Sequence, residues 1–158
     1  MERTLRAKLV GGVFRNVSAT RSRTMSRIRG EHPQSTDRAF RMALVRAGVK
    51  GWRMYEEGLP GKPDLYFPNL RVALFVDGCF WHGCPTCGHI PKTNRAFWTA
   101  KLLRNHQRDR LVRRRLKQSG IGVIRIWEHS LRTPDGISRT VRMITMLLSR
   151  RVPSRHHT

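Results

Sequence analysis

Three cysteines crowded into a single short loop constrain this chain more than any other feature of its sequence. They lie within residues 79–87, read Cys-Phe-Trp-His-Gly-Cys-Pro-Thr-Cys, and have the spacing C-x4-C-x2-C. A disulfide framework would use an even, dispersed set of cysteines, whereas clustered thiols in a reducing compartment indicate metal binding. Three thiolates this close together satisfy three corners of a zinc tetrahedron, so we predict a structural zinc site.

The sequence leaves the fourth zinc ligand open among three histidines. His89 is nearest to the cysteines, His82 lies inside the loop, and His129 follows a predicted strand far along the chain. A ligand at His129 would tie the loop to the sheet. Three free thiols are the alternative to a metal site.

The charge of the chain restricts its partners. The 158 residues include 32 Lys plus Arg against 10 Asp plus Glu, a formal net charge of +22. This excess favours binding to a polyanion, most often nucleic acid, and argues against an acidic-partner chaperone or a small-metabolite enzyme. Because 39% of the residues are hydrophobic, we expect a domain with a real core and not a wholly disordered basic protein.

The apolar segments of the chain are short. None reaches the length of a membrane-spanning helix, and the apolar patch at residues 9–14 is shorter than the core of a secretory signal. We therefore expect a cytoplasmic protein with no membrane association. We predict a basic, flexible tail over residues 1–19, a single domain over residues 20–149 and a second tail over residues 150–158.

The order of the predicted elements indicates one α/β layer fold with a mixed central sheet. The last strand is largely apolar, so we expect it in the interior of the sheet. From periodicity and capping residues, the predicted helices cover residues 36–47, 94–118 and 133–148, and the predicted strands cover residues 52–55, 64–67, 71–76 and 121–127.

Several acids and one histidine form a second candidate site. Asp64 begins one arm of a predicted hairpin and Asp77 ends the other, so both carboxylates should lie at the same end of the hairpin. Carboxylates there can hold Mg²⁺, and His82, five residues after Asp77, can take a proton from water. Asp37 lies one turn before Phe40, at the edge of the core face of the first helix. Ordinary turn aspartates beside a zinc loop are the alternative.

Aromatic residues accompany the cysteines. Phe80 and Trp81 either belong to the core or form a wedge that enters between DNA base steps and bends the duplex. Trp98 belongs to that wedge or to the core. The helical spacing places Trp98 on the same face as Asn105 and Asp109.

Taken together, these residues resemble the very short patch repair endonucleases. The resemblance covers about residues 20–132, and its string Gly-Cys-Phe-Trp-His is highly specific. The motifs that carry it are, in chain order, Thr20-Arg21-Ser22 with Met25, residues 59–64 (LPGKPD), residues 75–82 (FVDGCFWH), residues 91–94 (PKTN) with Phe97-Trp98, Asn105 with residues 108–110 (RDR), and Trp127-Glu128.

The resemblance implies a fold and an activity. The fold would be the restriction-endonuclease-like α/β core of the PD-(D/E)xK nucleases with an added zinc site. The activity would be Mg²⁺-dependent nicking of one strand of double-stranded DNA beside a T:G mismatch, which arises when 5-methylcytosine deaminates to thymine. The protein would act as a monomer in the bacterial cytoplasm, at the nucleoid, with mismatch-repair proteins as possible partners.

The resemblance also implies roles for single residues. Asp64 matches the metal-binding aspartate, and the backbone carbonyl of Val76 approaches the same metal. His82 matches the general base, and Asp109 the acid that supports it. The remaining implied sets are the aromatic wedge of Phe80, Trp81 and Trp98, the zinc ligands Cys79, Cys84 and His129 with Cys87 in or next to the remaining position, and the DNA contacts Arg21, Met25, Lys62 and Asn105.

Three positions depart from the family pattern. The best-known member has His at the position of Asp77 and Glu at that of Asp37, and we include both acids in the candidate catalytic set. Gly78 stands where the nuclease superfamily has its motif lysine, which leaves the base role to His82. The alternatives are a nuclease of the same fold with a different specificity and a non-catalytic, zinc-stapled DNA-binding module.

Overall fold

The computed structural model describes residues 34–151, and its helices and strands follow the predicted order. Most bounds agree with the prediction within one or two residues, and the first strand is shorter than predicted. The elements are α1 (Gln34–Arg46), β1 (Arg53–Met54), β2 (Leu65–Phe67), β3 (Val72–Asp77), α2 (Arg95–Gln118), β4 (Gly122–Trp127) and α3 (Pro134–Ser149), with 3₁₀ turns at Pro68–Leu70 and Glu128–Leu131.

One mixed sheet organises the described part of the chain, with the strand order β1-β2-β3-β4. β2 pairs antiparallel with β1 and with β3, whereas β3 and β4 run parallel. Parallel neighbours need a long crossover connection, and α2 lies in that connection. The predicted α/β fold with a mixed sheet is therefore confirmed.

β3 carries the core on both of its faces, because all six of its residues are buried. Leu74 packs into a core that includes Ile144 of α3, whereas Phe75 packs with Leu116 of α2. Side chains alternate along a strand, so Asp77 lies on the same face as Phe75. The polar end of β3 is thus presented to α2.

The prediction that β4 lies in the interior of the sheet is wrong. Within residues 34–151, β4 pairs only with β3 and forms an edge, and most of its residues are only partly buried. Its apolar character has another cause. Ile124 packs against one core and Val123 against the other, so both faces of β4 are covered although one edge is not.

The helices begin and end at the residues that the sequence marks. Thr133 caps α3, since its Oγ1 accepts a hydrogen bond of 3.1 Å from the backbone N–H of Gly136. α2 ends before Gly120, which has a φ of +69° that glycine adopts without strain. Among residues 34–151, none of the helices combines the length and the apolar character that crossing a membrane requires.

Candidate active site and metal centre

The three cysteines and His129 converge on one point. The Nδ1 atom of His129 lies 3.3 Å from the Sγ of Cys79 and 3.5 Å from the Sγ atoms of Cys84 and Cys87. All four atoms lie within 4.8 Å of one another. Of the three histidines that the sequence offered, the structure brings His129 to the thiols.

The register of the parallel strands explains this convergence. Asp77 is the partner of Trp127, and Cys79 and His129 each follow that pair by two residues. Backbone groups reinforce the join, because the N–H of His129 donates to the Sγ of Cys79 and the N–H of Cys79 donates to Glu128, both at 3.4 Å. The cysteine loop is therefore attached to the end of β4.

Zinc fits this donor set. With Zn–S bonds of about 2.3 Å and Zn–N bonds of about 2.0 Å, neighbouring sulfur and nitrogen ligands of a tetrahedron are roughly 3.5 Å apart. The three observed separations are 3.3 to 3.5 Å. Four protein ligands leave no open position, which is typical of a structural site.

The thiols of this cluster differ in how readily they ionise. Burial raises the pKa of Cys79 to about 12. Burial also disfavours the Cys84 thiolate, but hydrogen bonds from the backbone N–H groups of Cys87 and Thr86 bring its pKa down to about 6. A cation bound among the sulfurs would stabilise the thiolates that burial alone disfavours.

Asp64 lies at the end of β3, where the hairpin prediction placed it. Its Oδ2 accepts a hydrogen bond of 2.7 Å from the backbone N–H of Val76. The turn before Asp64 packs directly on α2, since a Cβ on Gly61 would come within 2.6 Å of the Cγ1 of Val112. The structure thus brings the carboxylate of Asp64 next to the backbone of Val76, and carboxylate and carbonyl oxygens are the ligand types that Mg²⁺ prefers.

His82 and Asp109 form a close pair across the gap between the cysteine loop and α2. The Nδ1 of His82 lies 2.6 Å from the Oδ2 of Asp109, and the two side chains are 17% and 18% exposed. A carboxylate can only accept, so this contact places a proton on Nδ1, and in the neutral imidazole the lone pair is then on Nε2. A histidine in this tautomer can accept a proton at Nε2.

Both oxygens of Asp77 are engaged by Arg125. The Nε of Arg125 donates to Oδ2 at 2.7 Å, and its Nη2 donates to Oδ1 at 2.6 Å. Burial alone would lower the pKa of Arg125, but the hydrogen bonds and charges of Asp77 and Asp109 raise it, so the guanidinium stays charged. This arrangement makes Asp77, which is buried, the counter-ion of a partly buried arginine.

Arg125 is the functional candidate that reading the sequence missed. It is the one charged residue of β4, whose other five residues are glycine or apolar. A long charged side chain in such a strand is a signal for a buried acidic partner, because an unpaired buried charge is costly. The sequence alone does not say that this partner is Asp77.

Asp37 forms an ion pair with a residue of its own helix. The Nη1 of Arg41 lies 3.0 Å from its Oδ2. Burial and the charges of Asp37 and Asp64 together raise the pKa of Tyr55, so these two carboxylates both act on the tyrosine hydroxyl. Asp37 therefore belongs to the surroundings of Asp64.

The aromatic residues form one cluster beside the cysteine loop. The ring centroid of Phe80 lies 5.0 Å from that of Trp81 and 5.1 Å from that of Trp98, both in edge-to-face contact. Trp98 is 8% exposed and belongs to the buried side of the cluster, whereas Phe80 and Trp81 are half-buried. The Nζ of Lys101 lies 5.0 Å from the ring of Trp81. Phe80 and Trp81 are thus the more accessible rings of the cluster.

The other predicted DNA contacts have different positions. The side-chain amide of Asn105 on α2 donates a hydrogen bond of 2.7 Å to the backbone carbonyl of Trp81. This bond connects α2 to the cysteine loop. Lys62 is exposed and pairs with Glu57 at 2.9 Å, a surface ion pair of the kind that contributes little to stability. Two predicted contacts, Arg21 and Met25, lie outside the described residues.

α2 presents a basic surface next to the His82–Asp109 pair. Exposed cations at this surface favour phosphate binding and release counterions from the duplex. The exposed arginines in the second half of α2 are Arg108, Arg110, Arg113, Arg114 and Arg115.

Comparison with known proteins gives a consistent set of similarities. The sequence profile of the family described as DNA mismatch endonuclease Vsr matches residues 15–87. The chain is 41% identical over 119 residues to the type II nicking enzyme V.NaeI of Lentzea aerocolonigenes, covering 72% of this chain and 70% of that protein.

Two further relatives have similar coverage. The type II nicking enzyme V.XorIIP of Xanthomonas oryzae is 33% identical over 122 residues, covering 76% of this chain and 88% of that protein. The DNA mismatch endonuclease Vsr of Escherichia coli K12 is 34% identical over 116 residues, covering 72% of each chain. These alignments extend well beyond the cysteine motif and include most of the described residues.

Proposed function

Because this chain belongs to the DNA mismatch endonuclease Vsr family and is a DNA nicking endonuclease, we propose that it cuts one strand beside a T:G mismatch. Such mismatches are left when 5-methylcytosine deaminates to thymine. One observation carries the catalytic part of the proposal: the Nδ1 of His82 lies 2.6 Å from the Oδ2 of Asp109. That contact prepares Nε2 as a base at the surface where α2 presents its arginines.

The proposed reaction is hydrolysis of one phosphodiester bond. The oxygen of a water molecule attacks phosphorus, the P–O bond to one sugar breaks, and Nε2 of His82 takes the water proton. Asp109 holds the imidazole in the required tautomer and stabilises the imidazolium that forms. The leaving oxygen is protonated from solvent.

The magnesium site would use Asp64 and the backbone carbonyl of Val76. When bound, Mg²⁺ would supply positive charge against the scissile phosphate. Asp64 is prepared for this role because the N–H of Val76 fixes its Oδ2. Asp37 would act on the metal site only from a distance, since its carboxylate pairs with Arg41.

Recognition of the mismatch would depend on Phe80 and Trp81 in the cysteine loop. A mismatch is more weakly stacked and paired than a matched step, so a wedge opens it at lower cost. Phe80 and Trp81 are half-buried at the surface of the cluster and would serve as this wedge, with Trp98 supporting them from below. The arginines of α2 would hold the flanking phosphates.

The proposal extends to the organisation of the protein. We propose that residues 20–149 form one endonuclease domain with a PD-(D/E)xK-like core, and that Gly78 replaces the superfamily lysine. We also propose that the protein works as a monomer in the bacterial cytoplasm, at the nucleoid. Contact with mismatch-repair proteins would follow from the reaction, because a nick beside a mismatch has to be processed further.

A strand-specific nicking assay tests this function. Duplexes carrying T:G, each other mismatch or no mismatch are incubated with zinc-loaded protein and Mg²⁺ in several flanking sequences. We expect nicking of one strand beside T:G and little cutting of matched DNA. Equal cutting of matched and mismatched duplexes would instead select a nuclease of different specificity, and binding without cleavage under any divalent ion would select a DNA-binding module.

The His82 assignment has its own test in the same assay. His82→Ala should slow nicking by about 100- to 1,000-fold, in the range of general base catalysis. Added imidazole should restore part of the rate if the missing group is a proton acceptor. An unchanged rate in His82→Ala would remove this residue from the mechanism.

A further inference from the structure

Arg125 occupies a position that neither the zinc cluster nor the proposed metal site explains. Its side chain is 14% exposed and reaches from β4 to two acids on different elements, Asp77 at the end of β3 and Asp109 on α2. The guanidinium carbon also lies 5.3 Å from the ring centroid of Phe75, its pairing partner in the sheet. A partly buried cation is thus contacted by two carboxylates and an aromatic ring.

One nitrogen of Arg125 joins the two acids. Nη2 lies 2.6 Å from the Oδ1 of Asp77 and 3.3 Å from the Oδ1 of Asp109. The other oxygen of Asp109 contacts His82 at 2.6 Å. Asp109 is therefore held at one oxygen by Arg125 and presents the other to the imidazole, so its orientation depends on the arginine.

The alternative cations near Asp109 are poorly placed for this task. The Nη2 of Arg108 lies 4.0 Å from the same Oδ1, and its side chain is 63% exposed. An exposed side chain at this distance is screened by solvent and orders a carboxylate weakly. The side chain of Arg125 is 14% exposed and its Nη2 lies closer to Asp109, so Arg125 is the better placed of the two cations.

We propose that Arg125 is a positioning residue of the nicking reaction: it orients Asp109, which sets the tautomer and direction of His82, and Asp77 serves as its counter-ion. The inference rests on the proposed function of the His82–Asp109 pair. It gives Asp77 a role different from metal binding, because a carboxylate with both oxygens on a guanidinium is already neutralised. The chain would thus use an ion pair within its sheet to support its base.

The experiment must separate positioning from stability, because removing Arg125 alone leaves Asp77 as an unpaired buried charge. Two variants achieve this. Arg125→Lys keeps the charge but lacks the planar fork that contacts both acids. The double variant Arg125→Gln with Asp77→Asn removes both charges together and leaves an amide pair in their place.

Three quantities are measured for both variants: melting temperature, DNA dissociation constant and single-turnover nicking rate. We expect both variants to nick about 10- to 100-fold more slowly, as for other residues that orient a catalytic group. We expect DNA binding to change by less than about threefold, since Arg125 is not at the surface. Arg139→Gln, an exposed arginine on α3, is the control for the loss of one positive charge.

The decisive comparison is between rate and stability in the double variant. If the double variant melts at the temperature of the native chain, and both it and Arg125→Lys, which keeps Asp77, nick slowly, Arg125 positions Asp109. If nicking recovers together with the melting temperature, or neither variant is slow, the arginine is a structural ion pair and the proposal is overturned.

A second readout is independent of cleavage. The ¹⁵N shifts of the His82 imidazole report which nitrogen carries the proton, and in Arg125→Lys we expect loss of the single Nδ1–H tautomer. An unchanged tautomer would overturn the positioning role. If the native chain nicks no T:G duplex, the proposed function fails, and these shifts still decide whether Arg125 orients the pair.

Discussion

The two polar centres of the molecule differ in how complete they are. The cysteine cluster brings four ligand atoms within 4.8 Å of one another, all from the protein. The acid site offers Asp64 and a strand-end carbonyl, while Asp77 is turned to Arg125 and Asp109 to His82. The first centre is closed and suits a structural ion, whereas the second, as the proposed magnesium site, would be open and would need water and substrate to complete it.

The two centres share the cysteine loop, residues 79–87, so a change in the cysteine cluster can also affect the acid site. Cys79 and Cys84 flank Phe80, Trp81 and His82, so the closed centre fixes both ends of the segment that serves the open one. Damage to the closed centre should therefore destroy stability and activity together. Damage to the open centre should remove activity and leave the fold.

Loss of a cysteine ligand should have the largest effect. Cys84→Ala removes a buried ligand, and we expect the melting temperature to fall by roughly 10 °C or more, since each kcal/mol shifts a chain of this size by about 2–4 °C. Nicking and bound zinc should be lost together, measured by cleavage assay and metal analysis. Thr86→Ala, exposed in the same loop, is the control. A stable, active Cys84→Ala protein would show that the cluster does not hold the loop.

Loss of the Asp64 carboxylate should lower the nicking rate and leave the melting temperature almost unchanged. We expect Asp64→Asn to slow nicking by about 1,000-fold, because charge stabilisation of the phosphate is the largest catalytic contribution available. Its melting temperature should change little, measured by thermal unfolding. The matched control is Asp135→Asn, the same substitution at an exposed acid of α3. Nicking by Asp64→Asn at the native rate would remove Asp64 from the active site.

A substitution of an aromatic residue in the cysteine loop should have an effect of intermediate size. Trp81→Ala should weaken binding to a mismatched duplex by about 1–3 kcal/mol, the usual contribution of an aromatic ring stacked on a base. Zinc content and binding to matched DNA should change much less, measured by metal analysis and fluorescence anisotropy. Leu103→Ala, an exposed apolar residue of α2, is the control. Equal weakening on matched and mismatched DNA would contradict a wedge.

Asp37 should give the smallest effect. Its carboxylate pairs with Arg41, and we expect Asp37→Asn to slow nicking by less than about tenfold, as for a residue that supports a metal site indirectly. The dependence of rate on Mg²⁺ concentration is the measurement. A loss as large as that of Asp64→Asn would place Asp37 among the direct metal ligands.

Local patterns predicted much of this molecule. The hairpin spacing placed Asp64 at the end of β3, and the helical spacing placed Asn105 and Asp109 on one face, which in the structure contacts the cysteine loop. Both inferences need only the period of a strand or a helix. The family and the endonuclease class also followed from the sequence motifs and are confirmed by the comparisons.

The long-range pairings could not be predicted in the same way. The choice of His129 over His89 depends on the register of β3 against β4, which no local pattern specifies. The pairing of Arg125 with Asp77 depends on the same register. The position of β4 at a sheet edge was missed because packing on both faces gives a strand the apolar composition of an interior one.

The cysteine cluster also bears on how the chain reaches its folded state. Cys79 and His129 are 50 positions apart, and the parallel pairing of β3 with β4 must close that long segment. Closing such a loop costs chain entropy before any sheet contact is gained, and parallel pairing is intrinsically slow. An ion bound by these ligands early in folding would hold β3 and β4 together before α2 packs against the sheet. Zinc would then accelerate refolding, and a chelator in the refolding buffer would lengthen the slow phase seen by stopped-flow fluorescence.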